Sequence, residues 1–329
     1  MRTLMIAGVA HNTDGSGYYR FYLPFKHLRA NSQHFAGMVP PDAAVNFGPE
    51  DVDGLDVLAM QRPAGRMGVR QLERLAGKVR VVYETDDDML QVVPSGLPHL
   101  HDEQAREFIR RCLRLSDMVT VSTPYLAETI QPYNDNIVVL PNHVKSYLLE
   151  MPKPTREKLT VGWAGGHSHL IDMVEIAEPL KAVLDKHPAV DMHFMGFDYS
   201  PLLSRECRWS NWQHDVGEYY KQIDFDIAVA PSADVPFNRS KTWIRALEMG
   251  ARGIPIVAAN RLPYSDYVID GKTGFLVNTP DEWRARLTDL INDEAMRAEL
   301  GAAAKEQAAE HTIEEGWRLW EAAYEKVVT

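Results

Sequence analysis

The sequence predicts an α/β protein of two doubly wound parallel sheets that face each other across a cleft. At 329 residues the chain exceeds the size at which one hydrophobic core usually keeps growing. Short apolar, β-branched runs alternate with amphipathic stretches, which is typical of βα units in a parallel sheet. A charged, proline-punctuated stretch at 151–158 interrupts the alternation, which then restarts. We therefore expect domains at 1–150 and 151–311, followed by a C-terminal helix at 312–329.

The individual strands and helices are predicted from the spacing of apolar residues. First-half strands are expected at 3–7, 55–60, 79–83, 118–121 and 137–140, with a further candidate near residue 39. Second-half strands are expected at 159–163, 190–195, 225–230 and 254–258, and helices near 168–186, 216–223 and 240–252. Trp317, Trp320 and Tyr324 give the last helix an aromatic face. We expect this face to pack on a domain, and the N-terminal domain is the candidate.

Composition and charge narrow the possible classes of protein. Hydrophobic residues make up 45% of the chain and charged residues 25%, which is ordinary for a globular protein and excludes disorder. Cys112 and Cys207 are far apart and lack metal-ligand spacing, so neither a disulfide framework nor a thiolate zinc site is expected. The net charge of −11 argues against whole-surface attraction to nucleic acid or anionic lipid. Apolar runs are too short for a signal segment or stable membrane insertion, so a cytoplasmic location is expected.

Basic residues nevertheless cluster in the first half. The cluster consists of Arg62, Arg66, Arg70, Arg74, Lys78 and Arg80. Spacings of four would align most of them on one face of a helix. Such a stripe is either a solvated helix face or a patch that faces an anionic acceptor.

Two glycine-rich turns each follow a predicted strand. The first contains Gly15, Gly17 and Tyr18, and the second contains Gly165, Gly166 and His167. Glycine lets backbone amides approach an anion at the start of the next helix, so two such turns across a cleft would suit a diphosphate. The first turn lacks the dinucleotide fingerprint, because Arg20 stands where the third glycine would be. A plain strand-to-helix connection is the alternative.

An acidic segment follows another predicted strand. Glu84, Asp86, Asp87 and Asp88 place four carboxylates within five residues. Because crowding like charges costs free energy, their density suggests helix capping, binding of acceptor or donor hydroxyls, or a divalent ion. No ligand partners are placed by spacing, so no bound metal is expected.

The segments 247–257 and 270–277 resemble the donor-binding half of family 4 glycosyltransferases. The resemblance implies the GT-B fold of two Rossmann-like domains, a nucleoside diphosphate sugar donor and retention of anomeric configuration. It implies that Glu248 binds the ribose hydroxyls; the family's second glutamate, eight residues earlier, is replaced by Ser240. Residues 83–88 are similar to a triple-Asp variant found in phage and bacterial members, and a phage-encoded protein would act in the host cytoplasm.

The family clamps the diphosphate with an Arg/Lys pair, which the turn at 162–169 lacks. Arg239 and Lys241, with Ser240 and Thr242 beside them, are the candidates at the start of the predicted helix 240–252. Lys241 and the three aspartates Asp86–Asp88 are the catalytic candidates.

These features predict a hexosyltransferase that uses a UDP- or GDP-sugar, without a cofactor, to glycosylate an acceptor hydroxyl. The acceptor candidates are a glycan, a protein or a hydroxymethylated pyrimidine of phage DNA. A nucleotide-sugar 2-epimerase and a non-catalytic module that binds sugar nucleotides or glycans are the alternatives.

Overall fold

The computed structural model describes residues 2–44, 47–91 and 102–329. Within these residues, twelve strands form two six-stranded parallel sheets, so the predicted fold class is confirmed. Helices connect successive strands and cover the faces of both sheets, as parallel pairing requires.

The first sheet has the strand order β2-β1-β3-β4-β5-β6. Its strands are β1 Met5–Val9, β2 Phe35–Met38, β3 Val57–Gln61, β4 Arg80–Thr85, β5 Met118–Val121 and β6 Ile137–Val139. Each overlaps a predicted run or, for β2, lies beside the candidate near residue 39.

The second sheet has the order β12-β11-β10-β7-β8-β9. Its strands are β7 Thr160–Gly165, β8 Asp191–Gly196, β9 Arg208–Asn211, β10 Ile227–Ala230, β11 Ile256–Ala259 and β12 Gly274–Val277. The strands β9 and β12 were not predicted. Both lie at sheet edges, where β9 alternates partly buried with exposed residues and so lacks a continuous apolar run.

The strand order reverses direction at β1/β3 in the first sheet and at β7/β10 in the second. Open α/β sheets bind ligands beyond the carboxyl ends of the strands at such switch points. The two predicted glycine-rich turns follow β1 and β7, so each lies at a switch point of its own sheet.

The described helices show one boundary that differs from the prediction. The helices span residues 15–31 (with a π-helical stretch Tyr18–Tyr22), Pro41–Ala44, Gly65–Leu75, Glu103–Leu115, Pro124–Ile130, Tyr147–Glu150, Leu170–Lys186, Ser200–Leu203, Val216–Gln222, Pro236–Arg239, Ile244–Ala251, Pro280–Asn292, Glu294–Ala309 and Ile313–Val328. Short 3₁₀ turns lie at Pro49–Val52, Gln131–Tyr133, His167–His169 and Tyr264–Asp266. The helix expected from residue 240 begins only at Ile244, because Pro236–Arg239 forms a separate short helix and residues 240–243 form a turn.

The last helix, Ile313–Val328, crosses back to the first half of the chain. It packs against the helix Leu23–Asn31, and the Phe25 and Tyr324 rings lie 5.9 Å apart. Trp320 is 1% exposed and packs on His143, with ring centroids 5.7 Å apart. The aromatic face therefore fixes the end of the chain against the first sheet's helices.

The predicted basic stripe is divided by the fold. Only Arg66, Arg70 and Arg74 lie on the helix Gly65–Leu75, where their side chains are exposed. Arg62 precedes this helix and turns toward Asp86, whereas Arg80 lies on β4 and pairs with Asp117 at 2.8 Å. The spacing of four thus holds for three of the six residues.

No helix among the described residues is both long and apolar enough to cross a membrane.

Candidate active site

A cavity of about 450 Å³ lies between the carboxyl edges of the two sheets, and we call it the cleft. Loops after β1, β3, β4 and β6 form one wall, the last through Asn142, and loops after β7, β8, β9, β10 and β11 form the other. A cavity of this size fits a small organic ligand. Of the predicted site residues, the cleft is lined by Gly15, Asp86, Asp87, Gly165, Gly166, Lys241, Thr242 and Glu248.

The turn after β7 brings backbone close to a cation. A Cβ atom on Gly165 would lie 2.8 Å from Nη2 of Arg245 and 2.7 Å from the Trp163 ring, so a side chain there would displace one of them. His169, in the same turn, has one ring nitrogen 2.7 Å from the Asp172 carboxylate and the other 3.3 Å from Arg245. Burial, with Lys241 and Arg245, lowers the pKa of His169 to about 3, so the ring is neutral at physiological pH.

Two cations lie together on this wall, Lys241 and Arg245. Arg245 donates to the Ala164 carbonyl at 2.7 Å and to the Tyr264 hydroxyl at 2.5 Å, which fixes its guanidinium. Lys241 Nζ lies 4.9 Å from the centroid of the Phe237 ring and forms no hydrogen bond or ion pair within the described ranges. Burial lowers the pKa of Lys241, although Asp87 and Asp172 oppose this. The cleft therefore holds an amine whose charge is not neutralised by a contacting carboxylate.

Lys241 does not lie on the helix that carries Glu248, because that helix begins at Ile244. The expectation of a lysine in its first turn, two turns from Glu248, is therefore wrong. Arg245 lies in that first turn instead, three residues from Glu248 and on the same helix face. Sequence reasoning missed Arg245, and its i, i+3 spacing to Glu248 was the available signal.

Glu248 is 6% exposed and its carboxylate is held by two tyrosines. The Tyr219 hydroxyl donates to it at 2.9 Å, and the Tyr19 hydroxyl also donates to it. Tyr19 comes from the first half of the chain and its hydroxyl lies 2.7 Å from that of Tyr220. Burial raises the pKa of Glu248 to about 6, and the tyrosine hydrogen bonds limit the rise. Glu248 therefore joins the two halves as well as lining the cleft.

The opposite wall presents Arg62 between two aspartates. Arg62 Nη2 donates to Asp87 at 2.8 Å and also to Asp86. The Arg62 backbone has φ of 51°, a left-handed conformation that costs a non-glycine residue about 1–3 kcal/mol. Burial would raise the pKa of Asp87, but Arg62 and Lys241 outweigh it, so the pKa of Asp87 is lowered. Asp87 is thus ionised and able to accept a hydrogen bond from a substrate hydroxyl.

The acidic segment divides between structural and cleft positions. Glu84 is buried and receives two hydrogen bonds from Arg20, at 2.7 and 3.0 Å, so the two residues form a structural ion pair between β4 and the helix after β1. Asp88 is 1% exposed and accepts from the Leu90 amide at 3.0 Å, as a turn-capping residue does. Of the four carboxylates of this segment, Asp86 and Asp87 line the cleft.

Other predicted site residues lie outside the cleft lining. Gly17 is required by packing, since a Cβ would lie 1.9 Å from the Asn12 carbonyl oxygen, and Tyr18 lies under Lys145. His167 is exposed next to Phe197. Arg239 pairs with Asp234 at 2.8 Å near the surface.

Ser240 is fully buried and donates to the Phe237 carbonyl at 2.7 Å. Its hydroxyl therefore stabilises the turn before the helix. It does not take the place of the family's glutamate in the cleft.

Groups of three or more metal-ligating side chains were not found in the parts of the chain that the structure describes.

Comparison with known proteins agrees with this architecture. Residues 200–307 match the sequence model of the family described as "Glycosyl transferases group 1". A glycosyltransferase from Rickettsia africae superposes with a TM-score of 0.71 at 11% identity, covering 100% of both chains. The Anabaena protein HepE, solved in complex with UDP-glucose, superposes with a TM-score of 0.66 at 14% identity, covering 97% of this chain and 99% of that one. The fold is therefore GT-B, and the second half carries the group 1 sequence signature.

One curated relative is the D-inositol 3-phosphate glycosyltransferase of Corynebacterium diphtheriae. It is 36% identical over 104 residues, which are 31% of this chain and 22% of that protein. The chain thus matches about a fifth of the length of this relative, and the similarity is limited to part of the chain.

Proposed function

We propose that this protein transfers a hexosyl group from a nucleoside diphosphate sugar to an acceptor hydroxyl, with retention of configuration. The observation that carries the proposal is the grouping of Lys241, Arg245 and Glu248 in one cleft, beside a glycine-rich turn. Two cations suit a diphosphate, and a carboxylate suits the two hydroxyls of a ribose. The match of residues 200–307 to group 1 glycosyltransferases supports this assignment.

The donor would lie along the wall formed by the second sheet. Glu248 would accept hydrogen bonds from the ribose, while Lys241 and Arg245 would contact the diphosphate, a role that replaces the one expected of Arg239. Gly165 lies beside Arg245, and the amides of Gly165 and Gly166 would add neutral donors to the phosphate oxygens. A UDP- or GDP-sugar is the proposed donor.

In the reaction, the bond between the anomeric carbon and the diphosphate oxygen breaks as the acceptor oxygen bonds to that carbon. Negative charge grows on the departing diphosphate, and Lys241 and Arg245 would stabilise it. The acceptor proton passes to the departing phosphate oxygen. Because these two cations can stabilise the diphosphate, we expect transfer to proceed without an added divalent ion.

The acceptor would lie on the wall formed by the first sheet. Before the attack, Asp86 or Asp87, oriented by Arg62, would accept the hydrogen bond of its hydroxyl, whose proton then passes to the departing phosphate oxygen. A glycan, a protein side chain or a hydroxymethylated pyrimidine of DNA presents such a hydroxyl.

The test is incubation with a panel of UDP- and GDP-sugars, with and without candidate acceptors. Free nucleotide with a glycosylated product of the donor's anomeric configuration supports the proposal, as seen by chromatography and NMR. Epimerised donor without transfer would favour a 2-epimerase, and binding without turnover would favour a non-catalytic module. Lys241→Ala should abolish turnover, whereas Lys272→Ala, at an exposed turn, is the matched control. Wild-type turnover by Lys241→Ala would contradict the site assignment.

A further inference from the structure

The turn that carries Lys241 is attached to the other half of the molecule. The Thr123 hydroxyl, after β5, donates to the Ser240 carbonyl at 3.0 Å. The Asn142 side-chain amide, after β6, donates to the Thr242 hydroxyl at 3.2 Å. Lys241 therefore has on each side a residue that is hydrogen-bonded to the first sheet's loops.

The orientation of Asn142 is itself fixed from behind by Arg20. Arg20 Nη1 donates to Asn142 Oδ1 at 2.9 Å, which leaves the Asn142 NH₂ group to donate to Thr242. Arg20 is fully buried, and Glu84 holds it through two hydrogen bonds while the Trp320 ring lies 5.5 Å away. A continuous buried network therefore runs from the first sheet to the turn.

Lys241 depends on this network because few contacts of its own fix the position of its amine. Its Nζ forms no ion pair among the described residues, and its nearby aromatic contact is Phe237. A long, flexible side chain without a fixed partner takes its position from its backbone, so a small shift of the turn would displace the charge.

We propose that Asn142 and Thr123 are positioning residues that hold Lys241 in the cleft, with Arg20 fixing the orientation of Asn142. The role of Lys241 at the diphosphate rests on the function proposed above. The consequence is that the acceptor side of the molecule sets the geometry of the donor side. Lys241 is then correctly placed only when the two halves are in contact.

The first test follows the reactivity of Lys241 without any ligand. Acetylation by an N-hydroxysuccinimide ester is measured across pH by peptide mass spectrometry in the wild type and in Asn142→Ala. Loosening the turn exposes the amine to water, so its labelling should be faster and its titration should move toward that of an exposed lysine. Asn136→Ala is the matched control, since Asn136 donates to the Asp117 carbonyl at the amino end of the strands, away from the cleft.

Other charged groups facing Lys241 are the same in all these variants. They are Asp86 and Asp87 from the first half and His169, Asp172 and Arg245 from the second. A change in the labelling profile of Asn142→Ala therefore reports the position of the turn. An unchanged profile in this variant would overturn the proposal.

The second test is a double-mutant cycle on UDP and GDP binding, measured by calorimetry. Asn142→Ala should weaken binding about tenfold or more when Lys241 is present, since small misplacements of charged groups are costly. In a Lys241→Ala background the same substitution should have no further effect. Equal losses in both backgrounds would show that Asn142 acts independently of Lys241 and would refute the inference.

Thr123 supplies a second variant in case Asn142→Ala folds poorly. Thr123→Val removes the hydrogen bond to Ser240, and Thr123→Ser keeps it and should rescue both measurements. Thr123 also caps the helix Pro124–Ile130, so melting temperatures are compared to separate that role. If no variant binds a nucleoside diphosphate, the proposed function fails, while the labelling profile still decides the positioning role.

Discussion

Replacing Glu248 by Gln should stabilise the protein and weaken its donor binding at the same time. The carboxylate is 6% exposed, and burial raises its pKa from 4.5 to about 6. A carboxyl whose pKa is raised on folding stabilises the folded state only while it is protonated. That contribution is complete below pH 4.5 and is lost as the pH rises through about 6.

The size of the effect follows from the pKa difference. A rise from 4.5 to about 6 corresponds to about 2 kcal/mol of unfolding free energy that the ionised carboxylate costs at pH 8. Gln keeps the shape and can still bond Tyr19 and Tyr219, but it carries no charge. Glu248→Gln should therefore melt several degrees higher than the wild type at pH 8 and at nearly the same temperature at pH 4.5.

Binding should change in the opposite direction. Hydrogen bonds to a charged group contribute about 1.5–3 kcal/mol, and a neutral amide keeps only part of this. We expect UDP or GDP to bind Glu248→Gln roughly tenfold to a hundredfold more weakly by calorimetry at pH 8. Thermal unfolding followed by circular dichroism at several pH values measures the predicted change in stability.

Either the unfolding measurement or the binding measurement can refute the reasoning. A Glu248→Gln protein that melts lower than the wild type at pH 8 would show that the carboxylate stabilises the fold through its tyrosines more than burial costs. Unchanged nucleotide affinity would remove Glu248 from the ribose site. Glu299→Gln, on the helix Glu294–Ala309 and exposed, is the control for loss of a negative charge.

Three further predictions concern the acidic segment, metal dependence and the last helix. Asp87→Asn should lower kcat at least tenfold and leave UDP affinity within about twofold. Asp88→Ala should lower only the melting temperature. Equal rates in the two variants would exclude a role for Asp87 at the acceptor. Turnover should survive EDTA because Lys241 and Arg245 stabilise the diphosphate, and loss of turnover restored by manganese would contradict this. Trp320→Ala should cost about 3–5 kcal/mol in denaturant unfolding, since it empties a fully buried site, and a loss below 1 kcal/mol would show that the helix end is not packed as described.

Strands in the middle of each sheet were predictable because they are buried on both faces. The run at 118–121 coincides with β5 Met118–Val121, in which every residue is buried. Edge strands such as β9 Arg208–Asn211 carry polar and exposed residues, and their pairing comes from one neighbour. A local pattern cannot separate such a segment from a loop.

The sequence by itself determined the two-sheet architecture and the places where ligands could bind. Period-two and period-3.6 patterns report burial, which is a local property, and glycines after strands mark where backbone can approach an anion. The turns containing Gly15 and Gly165 were located this way, whereas Glu248 was predicted from the resemblance to family 4 glycosyltransferases.

Only the tertiary structure decided which charged residues meet in the cleft. Arg62 pairs with Asp86 and Asp87 and does not lie on the predicted basic stripe. Glu84 is the buried partner of Arg20, and Arg245 lines the cleft together with Lys241. The physical reason is that a charge is neutralised by whichever opposite charge the fold brings within a few ångströms, and Arg20 and Glu84 are 64 residues apart in the chain. Sequence spacing reports helix faces and strand faces, and it carries no record of such distant pairings.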